Sequence, residues 1–242
     1  MSHWLDRTAL LLGKENISKL NQSHILIVGL GGVGAYAAEQ LVRSGIGNLT
    51  MVDGDTIHIT NINRQLPATQ ENIGKSKLDI LKQRFLEINP NLNINSINRY
   101  IEDTEMEELV LSNKFDYVID AIDTLSPKIH LIKSCIENKI PLVSSMGAGA
   151  KIDPSKIMIT DISKSYNDRL AFLVRKNLRK HKIYKGFKVV FSSELAKKEA
   201  IISVDNEKNK RSTVGTISYL PASFGIFCAS HVIRCLTEEV GS

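Results

Sequence analysis

An apolar run that breaks into glycines constrains this chain more than any other feature: Ile25-Leu-Ile-Val-Gly-Leu-Gly-Gly-Val-Gly34. Residues 25–29 read as a buried strand and residues 33–44 as a helix, so the glycines fall in the turn between them. A strand feeding a glycine-rich turn at a helix start is a ready phosphate cradle, because backbone N–H groups and the positive helix end face the same point. Gly29-x-Gly31-x-x-Gly34 is shared by many nucleotide binders and does not by itself separate them.

Two neighbouring segments sharpen the reading. Asp53 ends a second strand, residues 48–52, about 20 positions past the glycines, where a carboxylate meets the ribose of a bound nucleotide. That role suits a dinucleotide oxidoreductase and a nucleotidyl-transfer enzyme alike. The run Asn61-Ile-Asn-Arg-Gln65 favours the second, since an arginine beside a phosphate cradle answers charge that builds on phosphate during reaction. The plainer alternative is a surface loop whose Asn and Arg only fix a turn.

The 242 residues suffice for one large domain with a substantial core. Strand and helix alternate: strands at 25–29, 48–52, 92–97, 116–120 and 141–145, helices at 33–44, 76–87, 104–112 and 126–138. The pattern predicts an α/β fold, a Rossmann-like doubly wound, mostly parallel sheet with helices on both faces. It divides the chain into a core of residues 1–150 and a C-terminal α+β extension of residues 151–242. The extension should hold strands at 157–161, 189–192 and 201–204, the last two in a second region, with a basic helix at 166–182 and a mobile polar loop at 206–212.

Charge is uneven. Residues 164–188 contain nine Lys or Arg against Asp168 alone, a net +8 in a chain of net +5, which leaves −3 elsewhere. Such a block suits a polyanion-binding face; it also suits a solvated helix face over the apolar stripe Leu170, Leu173, Val174 and Leu178. The apolar segment 217–236 approaches transmembrane length, but Pro221, Ser223, His231 and Arg234 interrupt it, so a buried or dimer-forming helix is expected rather than stable membrane insertion. Cys135, Cys228 and Cys235 form no Cys-x-x-Cys pair, against a disulfide framework or structural zinc. With no secretory pattern at the start of the sequence, a cytoplasmic location is expected.

Further residues complete a set. Gly74-Lys-Ser-Lys77 opens a helix, Asp120-Ala-Ile-Asp123 ends a buried strand, and Arg7 lies in an N-terminal helical segment. With Asn61, Arg64 and Gln65, this order resembles the adenylating family that includes ubiquitin-activating enzymes and the bacterial enzymes that activate thiamin and molybdopterin sulfur carriers. The resemblance implies that Gly29, Gly31, Gly32 and Gly34 cradle ATP, that Asp53 and Asp55 lie near its ribose, and that Asn61, Arg64, Gln65 and Lys77 surround the phosphates. It implies Mg²⁺ on Asp123, and a homodimer in which Arg7 reaches the partner's nucleotide. Arg64 and Lys77 would stabilise charge as a carboxylate attacks the α-phosphate.

The chain departs from the sulfur-carrier enzymes. It lacks their zinc motif, Thr124 follows Asp123 where Asn is usual, and Lys128 stands where Arg is common. The segments Met146–Pro154 and Lys156–Lys164, with Asp120-Ala-Ile-Asp-x-x-x-x-Lys128, resemble instead the branch that cyclises threonylcarbamoyladenosine in tRNA. That branch implies tRNA as partner, served by the basic segment, and a sulfur-relay protein as accessory. Adenylation of a ubiquitin-like carrier's C-terminal carboxylate is the alternative. The oxidoreductase reading gives the Asn61–Gln65 loop and Lys77 no work, the basic segment and the missing zinc ligands weigh against the carrier reading, and ring closure by an internal nucleophile needs no catalytic cysteine.

Overall fold

Successive residues of a strand point to opposite faces, and this decides where the core lies. The structure, a computed structural model, describes residues 3–101, 103–207 and 210–237. In β1 (His24–Val28), Ile25 and Ile27 enter one core and Leu26 and Val28 the other. Both faces of the strand are therefore apolar, as a sheet covered on both sides requires.

The sheet has seven strands in the order β3-β2-β1-β4-β5-β7-β6. β2 (Asn48–Val52), β3 (Asn93–Ile97), β4 (Tyr117–Asp120), β5 (Leu142–Ser145) and β7 (Lys188–Ser192) run parallel to β1, and β6 (Ile157–Asp161) runs antiparallel to β7. The α/β, Rossmann-like reading holds. The strand expected at 189–192 in a second region, however, is β7 of this same sheet, with β6 beside it at the edge. The chain's direction of travel reverses between β1 and β4, and the crevice outside the carboxyl ends of these strands is where ligands bind in such sheets.

One face carries α3 (Gly34–Arg43), α4 (Lys77–Ile88) and α8 (Tyr219–Leu236); the other carries α5 (Glu105–Leu111), α6 (Leu125–Glu137) and α7 (Arg169–Leu178). α1 (Asp6–Leu12) and α2 (Lys14–Gln22) precede β1. By length and composition α8 could cross a membrane. Its Leu220, Phe224, Cys228, Ala229 and Val232 instead lie in the core beside the alanines of α3. Gly225 makes that approach feasible, since a Cβ there would overlap the Val33 carbonyl oxygen.

Two expected elements differ. The basic helix covers Arg169–Leu178 rather than 166–182: the Asp168 carboxylate caps it by accepting from the Ala171 N–H at 2.9 Å, and left-handed Lys182 ends the 3₁₀ turn that follows. Of the expected loop at 206–212, residues 206–207 and 210–212 belong to β8 (Ile201–Glu207) and β9 (Lys210–Val214), which pair as a small sheet of their own, and residues 208 and 209 lie outside the described residues.

Candidate functional site

The glycine turn is built by exclusion. Gly29 has φ +91°, and a Cβ on it would stand 2.7 Å from the Ala121 carbonyl oxygen. A Cβ on Gly34 would overlap the Gly29 carbonyl oxygen, so the turn and the helix start close on each other without side chains. Val33 precedes α3 and no side chain caps that helix end. The Ala35 N–H donates to the Gly31 carbonyl at 3.3 Å, and the uncapped helix end carries the positive end of its dipole beside the turn, as an anion requires.

The second strand delivers Asp53 beneath this turn. One carboxylate oxygen accepts from the Leu30 N–H at 2.6 Å and the other from the Asp55 N–H at 2.8 Å. Burial holds the Asp53 carboxyl above the ordinary carboxylate range, opposed by nearby Lys77 and by these two backbone donors. Lys77, the first residue of α4, is only 3% exposed, so it is not the solvated helix residue that a lone lysine usually is. Its Nζ donates to Asp55 at 2.6 Å and lies 3.9 Å from Asp53.

The loop after β2 divides its residues between two tasks. The Asn61 amide oxygen accepts from the His58 N–H at 3.0 Å and so helps close a short 3₁₀ turn. Arg64 folds back on the same loop, donating to the Thr60 carbonyl and the Asn63 side chain at 2.8 Å each, while a Cβ on Gly32 would stand 3.4 Å from its Cγ. The guanidinium is thus held on its own loop at the cradle's rim by one of its nitrogens. Gln65 is buried against the turn: a Cβ on Gly31 would stand 3.6 Å from its Nε2, and its Oε1 is a buried oxygen without a partner. An orphaned buried acceptor beside an open glycine cradle fits a ligand that brings donors or ordered water.

At the end of β4 the two aspartates separate. Asp120 is fully buried, paired with Lys128 Nζ at 2.8 Å, and it accepts from Ser144 Oγ and the Ile122 N–H. It is a structural carboxylate. Asp123 is exposed at the carboxyl edge, and Thr124 rather than Asp123 stands at the N-cap of α6. Among the described residues no group of three or more His, Cys, Asp or Glu gathers as a metal site. A Mg²⁺ ion on Asp123 would therefore take its remaining oxygens from phosphate and water, which is how Mg²⁺ is ordinarily held.

Arg7 lies exposed on α1, next to Leu10 and Leu11, which are 87% and 81% exposed. The basic segment divides: Asp168 at the start of α7 sits at the carboxyl edge, bonded to the Gly147 N–H and to Lys151, itself bonded to the Ser192 carbonyl. The far end, with Arg179, Lys180, Lys182 and Lys185, lies at the opposite edge, where Gly186 bonds Asp161 and Lys188 opens β7. Cys135 and Cys228 are buried, with thiols pushed up to about 12, while Cys235 is half-buried beside His231.

Tyr100, absent from the sequence-based set, belongs to the site. It follows β3, its hydroxyl donates to Asp55, and that bond pushes its phenol up to about 12. Its only sequence signal is an aromatic residue just past a strand's carboxyl end, which is too common to single out.

A mostly parallel sheet with a glycine cradle at its switch point, a buried carboxylate beneath the cradle and a lysine held among carboxylates is the arrangement of a nucleotide-site α/β protein. The ThiF family model matches residues 5–241, and the chain belongs to that family. Among its relatives, the tRNA threonylcarbamoyladenosine dehydratase of Bacillus subtilis is 38% identical across 99% of this chain and 97% of its own. The protein of the same name from Haemophilus influenzae is 38% identical, covering 93% and 90%. The crystal structure of Escherichia coli tRNA N6-threonylcarbamoyladenosine dehydratase in complex with ATP superposes with a TM-score of 0.87 at 34% identity, covering 96% of this chain and 93% of that one.

Proposed function

We propose that this chain is an ATP-dependent tRNA threonylcarbamoyladenosine dehydratase, which closes a ring on the modified adenosine through an acyl-adenylate. The observation that carries the chemistry is one sheet edge holding an uncapped helix start and, beside Asp53, buried Lys77. Similarity along the whole chain to proteins of that name supports the substrate.

The threonyl carboxylate is a poor electrophile because oxide is a hopeless leaving group. Its oxygen attacks the α-phosphorus of ATP, the bond to pyrophosphate breaks, and an acyl-adenylate forms. An atom of the carbamoyl group then attacks the acyl carbon, AMP leaves, and a proton passes to solvent; the nucleoside has lost one water. Tethering nucleophile and acyl carbon in one molecule supplies the advantage that a covalent enzyme intermediate would otherwise provide.

Gly29, Gly31, Gly32 and Gly34 line the phosphate cradle, Asp53 receives the ribose hydroxyls with Asp55 beside it, and Gln65 and Asn61 border the phosphates. Lys77 exchanges Asp55 for phosphate oxygen, and Arg64 unfolds from Thr60 and Asn63 to meet the charge that develops as pyrophosphate departs. Mg²⁺ on Asp123 would neutralise phosphate charge.

Arg7 and the exposed leucines of α1 support a homodimer in which Arg7 serves the partner's site. Arg169 and the nearer basic residues support contact with tRNA backbone. The reaction balances without sulfur, so a sulfur-relay accessory protein would act on something other than ring closure. ATP, tRNA and three unpaired thiols all suit the cytoplasm.

The test is one incubation of the protein with ATP, Mg²⁺ and tRNA bearing threonylcarbamoyladenosine, followed by mild digestion and mass spectrometry. Loss of one water that depends on ATP and disappears in Arg64→Ala is expected. An unchanged nucleoside, from protein that is folded and binds ATP, moves the reading to a carrier protein's carboxylate.

A further inference from the structure

We propose that Tyr100 is the platform on which the base of bound ATP stacks, a contact that sets nucleotide affinity. The inference rests on the ATP reading above and adds a residue and a subsite to it.

The placement follows from the anchors already fixed. With phosphates on the turn at the end of β1 and ribose at Asp53, the base must continue away from the turn, over the ends of β2 and β3. Tyr100 stands there. Its hydroxyl is tied to Asp55, two residues past the ribose carboxylate, and the charges of Asp53, Asp55 and Asp123 all act on its phenol. The aromatic side chain thus overlooks the crevice between the ends of β2 and β4.

Two features mark it as a built element rather than a stray surface ring. Gly54 leaves room for it: a Cβ at that position would stand 2.7 Å from the Tyr100 nitrogen and 2.9 Å from its Cδ2. And although the hydroxyl is tethered, the residue as a whole is 70% exposed. An aromatic ring held at one end and largely exposed offers stacking area at little further ordering cost.

A purine could reach Tyr100 from ATP or from the modified adenosine of tRNA. Proximity to the ribose carboxylate favours ATP, and binding measurements without tRNA separate the two. Titration of ATP and of inorganic tripolyphosphate into the full-length protein, followed by calorimetry, provides the readout. Tyr100→Ala should raise the Kd of ATP roughly ten- to a hundred-fold, the range that stacking of a base on an aromatic side chain supplies. It should leave the Kd of tripolyphosphate, which has no base, within about twofold, and Tyr100→Phe should keep ATP affinity within about threefold of wild type because the ring remains.

Equal weakening of ATP and tripolyphosphate by Tyr100→Ala would overturn the proposal in favour of a role through Asp55 and Lys77. Unchanged ATP affinity with a raised KM for tRNA would also overturn it, assigning the ring to the other purine. A wild-type protein that binds no ATP would fail the preceding reading instead, which keeps the two apart.

Discussion

Lys128 and Asp120 place opposite charges where no water reaches, 2.8 Å apart and both fully buried. Truncating one member of such a pair leaves the other charged and unpaired, which costs about 3–5 kcal/mol. Lys128→Met should lower the urea-derived stability by that amount. Asp120→Asn added to it should recover most of the loss, because the charge is gone, the amide oxygen can still accept from the Ile122 N–H, and the Ser144 hydroxyl can turn to accept from the new amide N–H. No recovery would mean that packing around the lysine stem, not its charge, does the stabilising. His231 makes a second case. Burial first, then Lys188 and Arg234, lower its imidazole from 6.5 to about 4, with Tyr117 edge-on and Cys235 at 3.6 Å. The folded imidazole stays neutral down to about pH 4, whereas the unfolded one takes a proton at about 6.5. Stability present above pH 6.5 is therefore lost as pH falls through that window, on the order of 2 kcal/mol by pH 4.5. His231→Gln should shrink the difference between denaturation at pH 7 and at pH 4.5 by that much, and an identical pH dependence in the two proteins would exclude the histidine.

At the scale of elements, α3 is fixed by what lies behind it. Gly225 of α8 meets Val33, and a Cβ there would also crowd the Ala37 nitrogen at 2.9 Å and Tyr36 Cβ at 3.0 Å. Gly225→Ala should cost about 1–3 kcal/mol, as overpacking does. Scanning calorimetry should show a Tm lower by roughly 2–4 °C for each of those kcal/mol. Because Val33 sits at the start of the phosphate-facing helix, ATP affinity should fall with it; a variant with a lower Tm but unaltered ATP affinity would separate packing from the cradle. This contact is between residues nearly two hundred positions apart, and the sequence carries no sign of it. The central strand β1 was legible because both its faces are apolar, and the glycine turn because its backbone tolerates no side chain at Gly29 or Gly34. The helix at 166–182 was drawn too long because positive charge continues past its end while the left-handed turn at Lys182 does not show in residue type. The hairpin was hidden by polarity, since a two-stranded sheet outside the core needs no apolar face to betray it. In the site, Lys77 lies 3.9 Å from Asp53, and Gln65 packs beside the turn at Gly31. Asn61 and Arg64 instead spend their hydrogen bonds on their own loop, the plainer role that the same residues allow. Tyr100 was invisible because its partner, Asp55, comes from another strand's loop.

The whole molecule raises a question of stoichiometry, because Arg7 stands on α1 beside Leu10 and Leu11, which no described residue covers. If two copies pair through this face and each Arg7 serves the other's nucleotide, a site consists of Lys77 from one protomer and Arg7 from its partner. Arg7→Ala and Lys77→Ala homodimers then both lack a complete site. Mixed and allowed to exchange, the two variants give about half heterodimers, and in each heterodimer one site is doubly damaged and the other intact. Activity should therefore return to about a quarter of wild type from two nearly inactive stocks. The measurement is ATP-dependent loss of water from the tRNA nucleoside, before and after exchange, with subunit mixing confirmed by native mass spectrometry. Activity that stays flat despite demonstrated heterodimers would place Arg7 in its own protomer's site or outside the chemistry. Full activity in the Arg7→Ala homodimer would remove it from the site altogether. Recovery near a quarter would be difficult to obtain otherwise, since mixing cannot repair a residue that acts within its own chain, and it would make the dimer part of the active site rather than a packing arrangement.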